Sequence, residues 1–215
     1  MSDGDPQQNV SSLFAASGRT MAEVTRAWTN ASTQVLKNIT EANQAVLSAF
    51  GGGDISGEVT ESSDVSIGYS RRGWSLDRDL TCDTEVTVGD TLRFSKVISE
   101  ANVDAFADAT GDTNRLHLDE AFASNSRFGE PIAHGILVLG LISAALARLP
   151  GLTIYLSQDI QFIRPATIGQ RYTAVIEVVE QLGDKQFRLT TDVVDESGEM
   201  IVDGEAVVLV DDLPA

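Results

Sequence analysis

The chain has 215 residues, 32 of them acidic and 15 basic, and carries a formal net charge of −17. Such a surface excludes non-specific nucleic-acid binding, which needs a basic face, and it excludes docking on anionic lipid. A hydrophobic fraction of 42% is enough for a core, and the single cysteine, Cys82, excludes an internal disulfide and a cysteine-based metal cluster.

The N-terminus, Met1-Ser-Asp-Gly-Asp, has no basic and no apolar leader segment, so a secretory signal is not expected. Within residues 1–50, apolar residues recur at Val24, Trp28, Ala31, Val35, Ile39, Ala42 and Val46. Steps of three and four predict an amphipathic helix, which Gly51-Gly52-Gly53 ends. Its stripe must bury against the body of the protein, a second copy or some other apolar surface. Residues 51–80 are rich in Gly, Ser, Asp and Glu and lack periodicity, so they read as a flexible linker, with Trp74 near its end placed to dock on the body.

Residues 81–215 read as one α+β domain. Thr91–Ile98 is a strand candidate after a Gly89-Asp90 turn. Ser99 then reads as a helix N-cap, with Val103, Phe106, Ala107 and Thr110 on one face and Gly111 as the stop. Residues Thr113–Glu130 look irregular and polar. His134–Leu149 is apolar nearly all round, which predicts a buried helix, and its apolar run Gly135–Leu146 is too short to span a bilayer. Four strand candidates follow, Thr153–Ile163, Arg171–Leu182, Gln186–Asp195 and Met200–Val210. Gly183-Asp184 and Ser197-Gly198 are hairpin signals, so the end of the domain is expected to be antiparallel. A long sheet wrapped about one buried helix is the simplest architecture. Most of the acidity lies here: of the −17, residues 79–215 carry 23 acidic and 9 basic side chains, net −14. With 12 Arg and only 3 Lys, the pattern suits concentrated salt, where self-repulsion is screened. The chain as a whole reads as soluble and cytoplasmic.

Two histidines are present, His117 and His134. An enzyme that needs a base near neutral pH would use one of them. Asp112 and His117 stand five residues apart in Gly111-Asp112-Thr113-Asn114-Arg115-Leu116-His117. A turn between them would let carboxylate and imidazole hold and polarise one water; otherwise Asp112 caps a turn and His117 is surface or packing. Gly135 lies at the start of the apolar helix, where free backbone N–H groups suit a developing oxyanion, although every helix start has such donors. Ser143 is the single hydroxyl of that helix, and it either bonds back to the carbonyl of Leu139 or reaches a catalytic group. The glycines form neither a P-loop nor a dinucleotide fingerprint, and the spacing of His, Cys and carboxylates shows no metal cluster.

The stretch Phe106-Ala-Asp-Ala-Thr-Gly-Asp112-Thr-Asn114-Arg-Leu-His117-Leu-Asp119, followed by Phe128-Gly-Glu-Pro131-Ile-Ala-His134-Gly135-Ile-Leu, closely resembles the MaoC-like family, and within it the (R)-specific enoyl-CoA hydratases. The resemblance covers about residues 85–210. It implies a hot-dog fold, dimerised through the sheets, and reversible syn addition of water to trans-2-enoyl-CoA to give (R)-3-hydroxyacyl-CoA, a monomer suited to polyhydroxyalkanoate synthesis. It implies that Asp112 and His117 hold the water and exchange its protons, that the Gly135 N–H polarises the thioester carbonyl, that Asn114 shapes the loop, and that Ser143 helps to orient the pair. No cofactor or metal is implied, since coenzyme A is part of the substrate. Where family members often carry proline after the motif asparagine, this chain has Arg115. That residue is the feature that would favour a branched or dicarboxylic acyl-CoA of mesaconyl or methylmalyl type. Arg115, Arg127, Arg148, Arg164 and Arg171 are candidates for holding the anionic coenzyme A, unranked by sequence. A hot-dog thioesterase fits less well, because the hydratase motif is complete. The helix within residues 1–50 is somewhat similar to those of phasins, which coat polyester granules, and implies a granule-binding module as a further reading.

Overall fold

The computed structural model describes residues 59–60 and 66–214, which lie within a unit spanning Asp54–Ala215. The amphipathic helix expected within residues 1–50 lies outside the described residues. In chain order the elements are β1 (Val59–Thr60), β2 (Ser70–Arg71), β3 (Ser75–Asp79), β4 (Thr91–Val97), α1 (Glu100–Thr110), α2 (Arg115–Leu118), α3 (Glu120–Ala123), α4 (Gly135–Leu146), β5 (Leu152–Phe162), β6 (Arg171–Gln181), β7 (Gln186–Asp195) and β8 (Met200–Asp211). β1 and β2 pair with each other, and the other six strands form one sheet in the order β3-β4-β6-β7-β8-β5, antiparallel throughout.

The sheet follows from a period-two pattern. Leu92 and Phe94 on β4, Tyr172, Ala174, Ile176 and Val178 on β6, Phe187, Leu189 and Val193 on β7, and Val202, Ala206 and Val208 on β8 are all buried. Alternate side chains of a strand share a face, so these residues make one apolar surface that needs a cover. α4 is that cover: it packs on β4, β6 and β7 through the buried Val138, Leu141, Ile142, Ala145 and Leu146. Fully burying each large side chain contributes about 1.5–3 kcal/mol. The result is the hot-dog arrangement, an antiparallel sheet curled about a helix.

Two expectations change. The helix is not buried all round, because Ile136, Gly140, Ser143 and Ala147 form an exposed stripe. The sheet covers the remaining faces, and three of those four residues are small enough to leave little apolar area to water. The segment read as linker over 51–80 contributes a strand, β3, paired with β4 from Ser75↔Ser95 to Asp79↔Thr91. All five β3 residues are exposed. Backbone pairing at a sheet edge holds this strand, and it leaves no alternation of apolar side chains to read. Trp74 docks as expected, its ring edge-on to Phe94 at 5.8 Å. The connection from β3 to β4 is tied by the fully buried Asp90, whose carboxylate accepts the N–H groups of Thr81 and Thr87, each at 2.8 Å.

Tyr172 is also fully buried, and its hydroxyl donates to the carbonyl of Thr167 at 2.9 Å. Burial pushes this phenol from 10.0 up to about 12. A raised folded-state value stabilises the fold fully below pH 10 and loses that contribution as pH rises towards 12. Melting temperature should therefore fall across that window, and Tyr172→Phe should flatten the fall. Burial moves Tyr155 in the same direction, so the variant removes only part of the slope. An unchanged slope would show that Tyr172 titrates alike in folded and unfolded chains.

Candidate active site

α1 begins after Ser99 and ends where Gly111 turns left-handed at φ 77°, a conformation that favours glycine. This turn throws Asp112 out of the helix. Its carboxylate lies beside the Asn114 N–H, 3.4 Å from Oδ1. The Asn114 side chain caps α2 by accepting the Leu116 N–H at 3.0 Å. α2 is a single turn, and it brings His117 back towards Asp112 across a segment that reads as irregular.

His117 Nδ1 lies 2.7 Å from the carbonyl oxygen of Ile132. A carbonyl only accepts, so Nδ1 donates and the lone pair of the neutral ring is on Nε2. The second imidazole is next to the first: the His134 ring centroid is 3.9 Å from that of His117. His134 is the buried N-cap residue of α4, and its Nε2 lies 2.9 Å from the carbonyl oxygen of Asp112. Donor atoms of Asp112, His117 and His134 lie within 4.8 Å of one another. The fold thus gathers three potential metal ligands that the sequence spacing does not suggest. A cation bound by His134 Nε2 would have to displace that nitrogen's bond to the Asp112 carbonyl. The sequence places His134 at the start of the apolar helix and in the family motif but not beneath His117; no pattern in the chain carries that contact.

Gly135 follows at the N-terminus of α4, where first-turn N–H groups have no intrahelical partner. It shares a cavity of about 340 Å³ with His117, Val138, Phe162, Arg127 and Arg164. The Phe162 ring lies over Gly135 so closely that an added Cβ would meet its Cε1 at 2.7 Å. This approach favours glycine there. Ser143 lies farther along the same helix. It is exposed, and it lies eight residues along α4 from Gly135, roughly 12 Å at 1.5 Å per residue. Its hydroxyl faces the open stripe of the helix, so burial imposes no need for a partner.

The arginines also sort themselves. Arg127 and Arg164 line the cavity, with Arg164 paired to Glu199 at the surface. Arg148 is buried, with its guanidinium over the Phe94 ring, and Arg171 donates to the carbonyl of Gly73. Arg115 is not among the residues lining the cavity: it binds Asp119 at 2.7 Å and stacks over Phe122. The Phe122 N–H, and after it the Arg115 guanidinium, hold the Asp119 carboxyl below its ordinary value. The charge that would have favoured a dicarboxylic substrate is already engaged outside the cavity.

Comparison with known proteins agrees with this architecture. The family described as MaoC like domain matches residues 83–199, and the chain belongs to it. The (R)-specific enoyl-CoA hydratase of Aeromonas caviae is 44% identical over 124 residues, which cover 56% of this chain and 92% of that protein. The 3-hydroxybutyryl-CoA dehydratase of Methylorubrum extorquens is 40% identical over 128 residues, covering 59% and 82% respectively. Among solved structures, the unliganded (R)-hydratase of Pseudomonas aeruginosa matches with a TM-score of 0.57 at 38% identity, over 64% of this chain and 90% of that one. The Aeromonas caviae (R)-hydratase, described as involved in polyhydroxyalkanoate biosynthesis, matches with a TM-score of 0.55 at 40% identity, over 60% and 98%.

Gly135→Ala should push the Phe162 ring aside rather than unfold the protein, since that ring is 52% exposed and can move. Melting temperature should hold within a few degrees while activity falls about tenfold or more. In a Phe162→Ala background the same substitution should cost much less. Equal losses in both backgrounds would place the effect elsewhere than in the ring contact.

Proposed function

We propose that the chain adds water to trans-2-enoyl-CoA in syn fashion, giving (R)-3-hydroxyacyl-CoA. What supports this most is the convergence of the Asp112 carboxylate on the His117 imidazole, with Gly135 lining the same cavity as His117. A water held between the two side chains attacks C3. One of the pair takes a proton from it, and the other delivers a proton to C2. Passage of the gained proton from the first group to the second resets the pair, so atoms and charge balance. Negative charge grows on the thioester oxygen, and the Gly135 N–H at the positive end of α4 stabilises it. Only acid–base and electrostatic steps are used, and the chain's own groups supply them. Arg127 and Arg164 are the candidates for the coenzyme A phosphates. Asn114 keeps the loop in shape, and Ser143 is given no part.

The assembly proposed is a homodimer. β5 is the outer strand of the sheet, and Leu152, Ile154 and Leu156 on it are 39–49% exposed. An apolar edge of this kind is a template for pairing with a second copy. The place of work proposed is the cytoplasm, at high salt, supplying monomers for polyhydroxyalkanoate, with residues 1–50 docking the enzyme on the granule. No helix among the described residues is long and apolar enough to cross a membrane.

Purified protein in molar KCl should remove the enoyl absorbance of crotonyl-CoA and yield the (R) product, and light scattering of the same sample should give the mass of two chains. Asp112→Asn and His117→Gln should each lower the rate about a hundredfold or more. Inertness towards crotonyl-CoA and towards a series of longer enoyl-CoA esters would sink the reading, and near-normal rate in either variant would remove that residue from it. Deleting residues 1–50 should leave hydration intact and abolish sedimentation with polyester granules. Persistent sedimentation would refute the module.

A further inference from the structure

Three features of His134 are not used by the proposed reaction. It is 1% exposed, its ring stacks on that of His117, and its Nδ1 is buried with no hydrogen-bond partner. Leaving a buried polar atom unpaired is costly, so the arrangement needs a compensating role. The compensation is visible in the other contacts of the same ring. Nε2 lies 2.9 Å from the Asp112 carbonyl oxygen and 4.0 Å from the Asp112 carboxylate. One face of the imidazole supports His117 at 3.9 Å between centroids, and the ring also meets Phe106 of α1 at 4.8 Å. Through the backbone, His134 is joined directly to Gly135.

We infer that His134 is the positioning residue of the site, a neutral imidazole locked as the Nε2–H tautomer that sets Asp112 and His117 in register with the Gly135 N–H. The tautomer follows from the acceptor. The Asp112 carbonyl can only accept, so Nε2 carries the hydrogen, and the orphaned Nδ1 carries the lone pair. His117 is locked in the opposite sense, with hydrogen on Nδ1 towards Ile132. The two stacked rings therefore hold opposite tautomers. No acceptor faces His134 Nδ1, so the geometry offers a second ring hydrogen nothing to bond to. Leaving Nδ1 without a partner is what keeps this imidazole a platform rather than a second acid or base. The kinetic part of the inference rests on the hydratase reading; the tautomer part does not.

The chain contains two histidines only, so nitrogen-15 spectra of the imidazoles resolve both without crowding. At pH 8, long-range proton–nitrogen correlations on the full-length protein should show one ring protonated at Nδ1 and one at Nε2. His134→Gln should delete the Nε2–H pattern and leave the Nδ1–H pattern in place. Two rings of the same tautomer, or loss of the Nδ1–H pattern in the variant, would overturn the inference. Kinetically, His134→Phe keeps a ring under His117 and removes the donor to Asp112. It should lower kcat about ten- to a hundredfold with KM within about twofold. His134→Gln, which retains an N–H donor, should recover part of that loss. Wild-type kcat in His134→Phe would also overturn it. Opposite tautomers in a protein inert towards every enoyl-CoA would leave the positioning geometry standing and refute the reaction alone.

Discussion

A twelve-residue helix with one hydroxyl and no charge has to leave water, and the rest of the body is arranged around that requirement. α4 brings no favourable surface of its own to solvent apart from the narrow stripe from Ile136 to Ala147. The inward faces of β4, β6, β7 and β8 have the same need, and the two surfaces satisfy each other. This single burial event determines where the N-terminus of α4 lies, and with it the position of the Gly135 N–H.

The site is then assembled at the one end of α4 that the core does not fill. His134 and Gly135 come from the helix start, Asp112 from the left-handed exit of α1, and His117 from the single turn of α2. Short backbone links join these pieces: Ile132 N–H to the Leu116 carbonyl at 3.4 Å, Ala133 N–H to the Ala166 carbonyl at 2.8 Å, and the bridge Ile132↔Thr167. The approach to α4 is thereby stitched both to α2 and to the segment between β5 and β6. The loop that carries Asp112 and His117 is consequently mounted on elements that the core already holds, the kind of support the proposed acid–base pair needs to stay in register.

The charge of the molecule has little part in this. Lys185, bonded to Asp211 and Asp212 at 2.8 and 2.9 Å, and Arg188, 3.5 Å from both Glu180 and Glu205, belong to a solvated outer face. Exposed pairs of this sort contribute little individually. The arginines are sorted by position alone: Arg127 and Arg164 line the cavity, and Arg115 is turned onto Asp119 and Phe122. Identical side chains acquire different uses because the fold gives them different neighbours.

Much of the fold could be read from local patterns. β4, β6, β7 and β8 and the helix α1 show themselves through periodicity and punctuation, because each element buries one face and is closed by Gly, Pro or a capping residue. β3 could not be read, since a sheet edge held by backbone pairing leaves no apolar alternation. The pairing of β4 with β6, and of β5 with β8 across the far side of the sheet, joins strands distant in the chain, and no local signal encodes such a neighbour. Asp112, His117 and Gly135 were legible as candidates because their residue types and motif are written in the chain. The exposure of Ser143, the engagement of Arg115 and the stacking of His134 under His117 were decided by tertiary structure alone. Each depends on which face of a helix meets the sheet and on which loop folds back over it, and those are properties of packing rather than of any single segment.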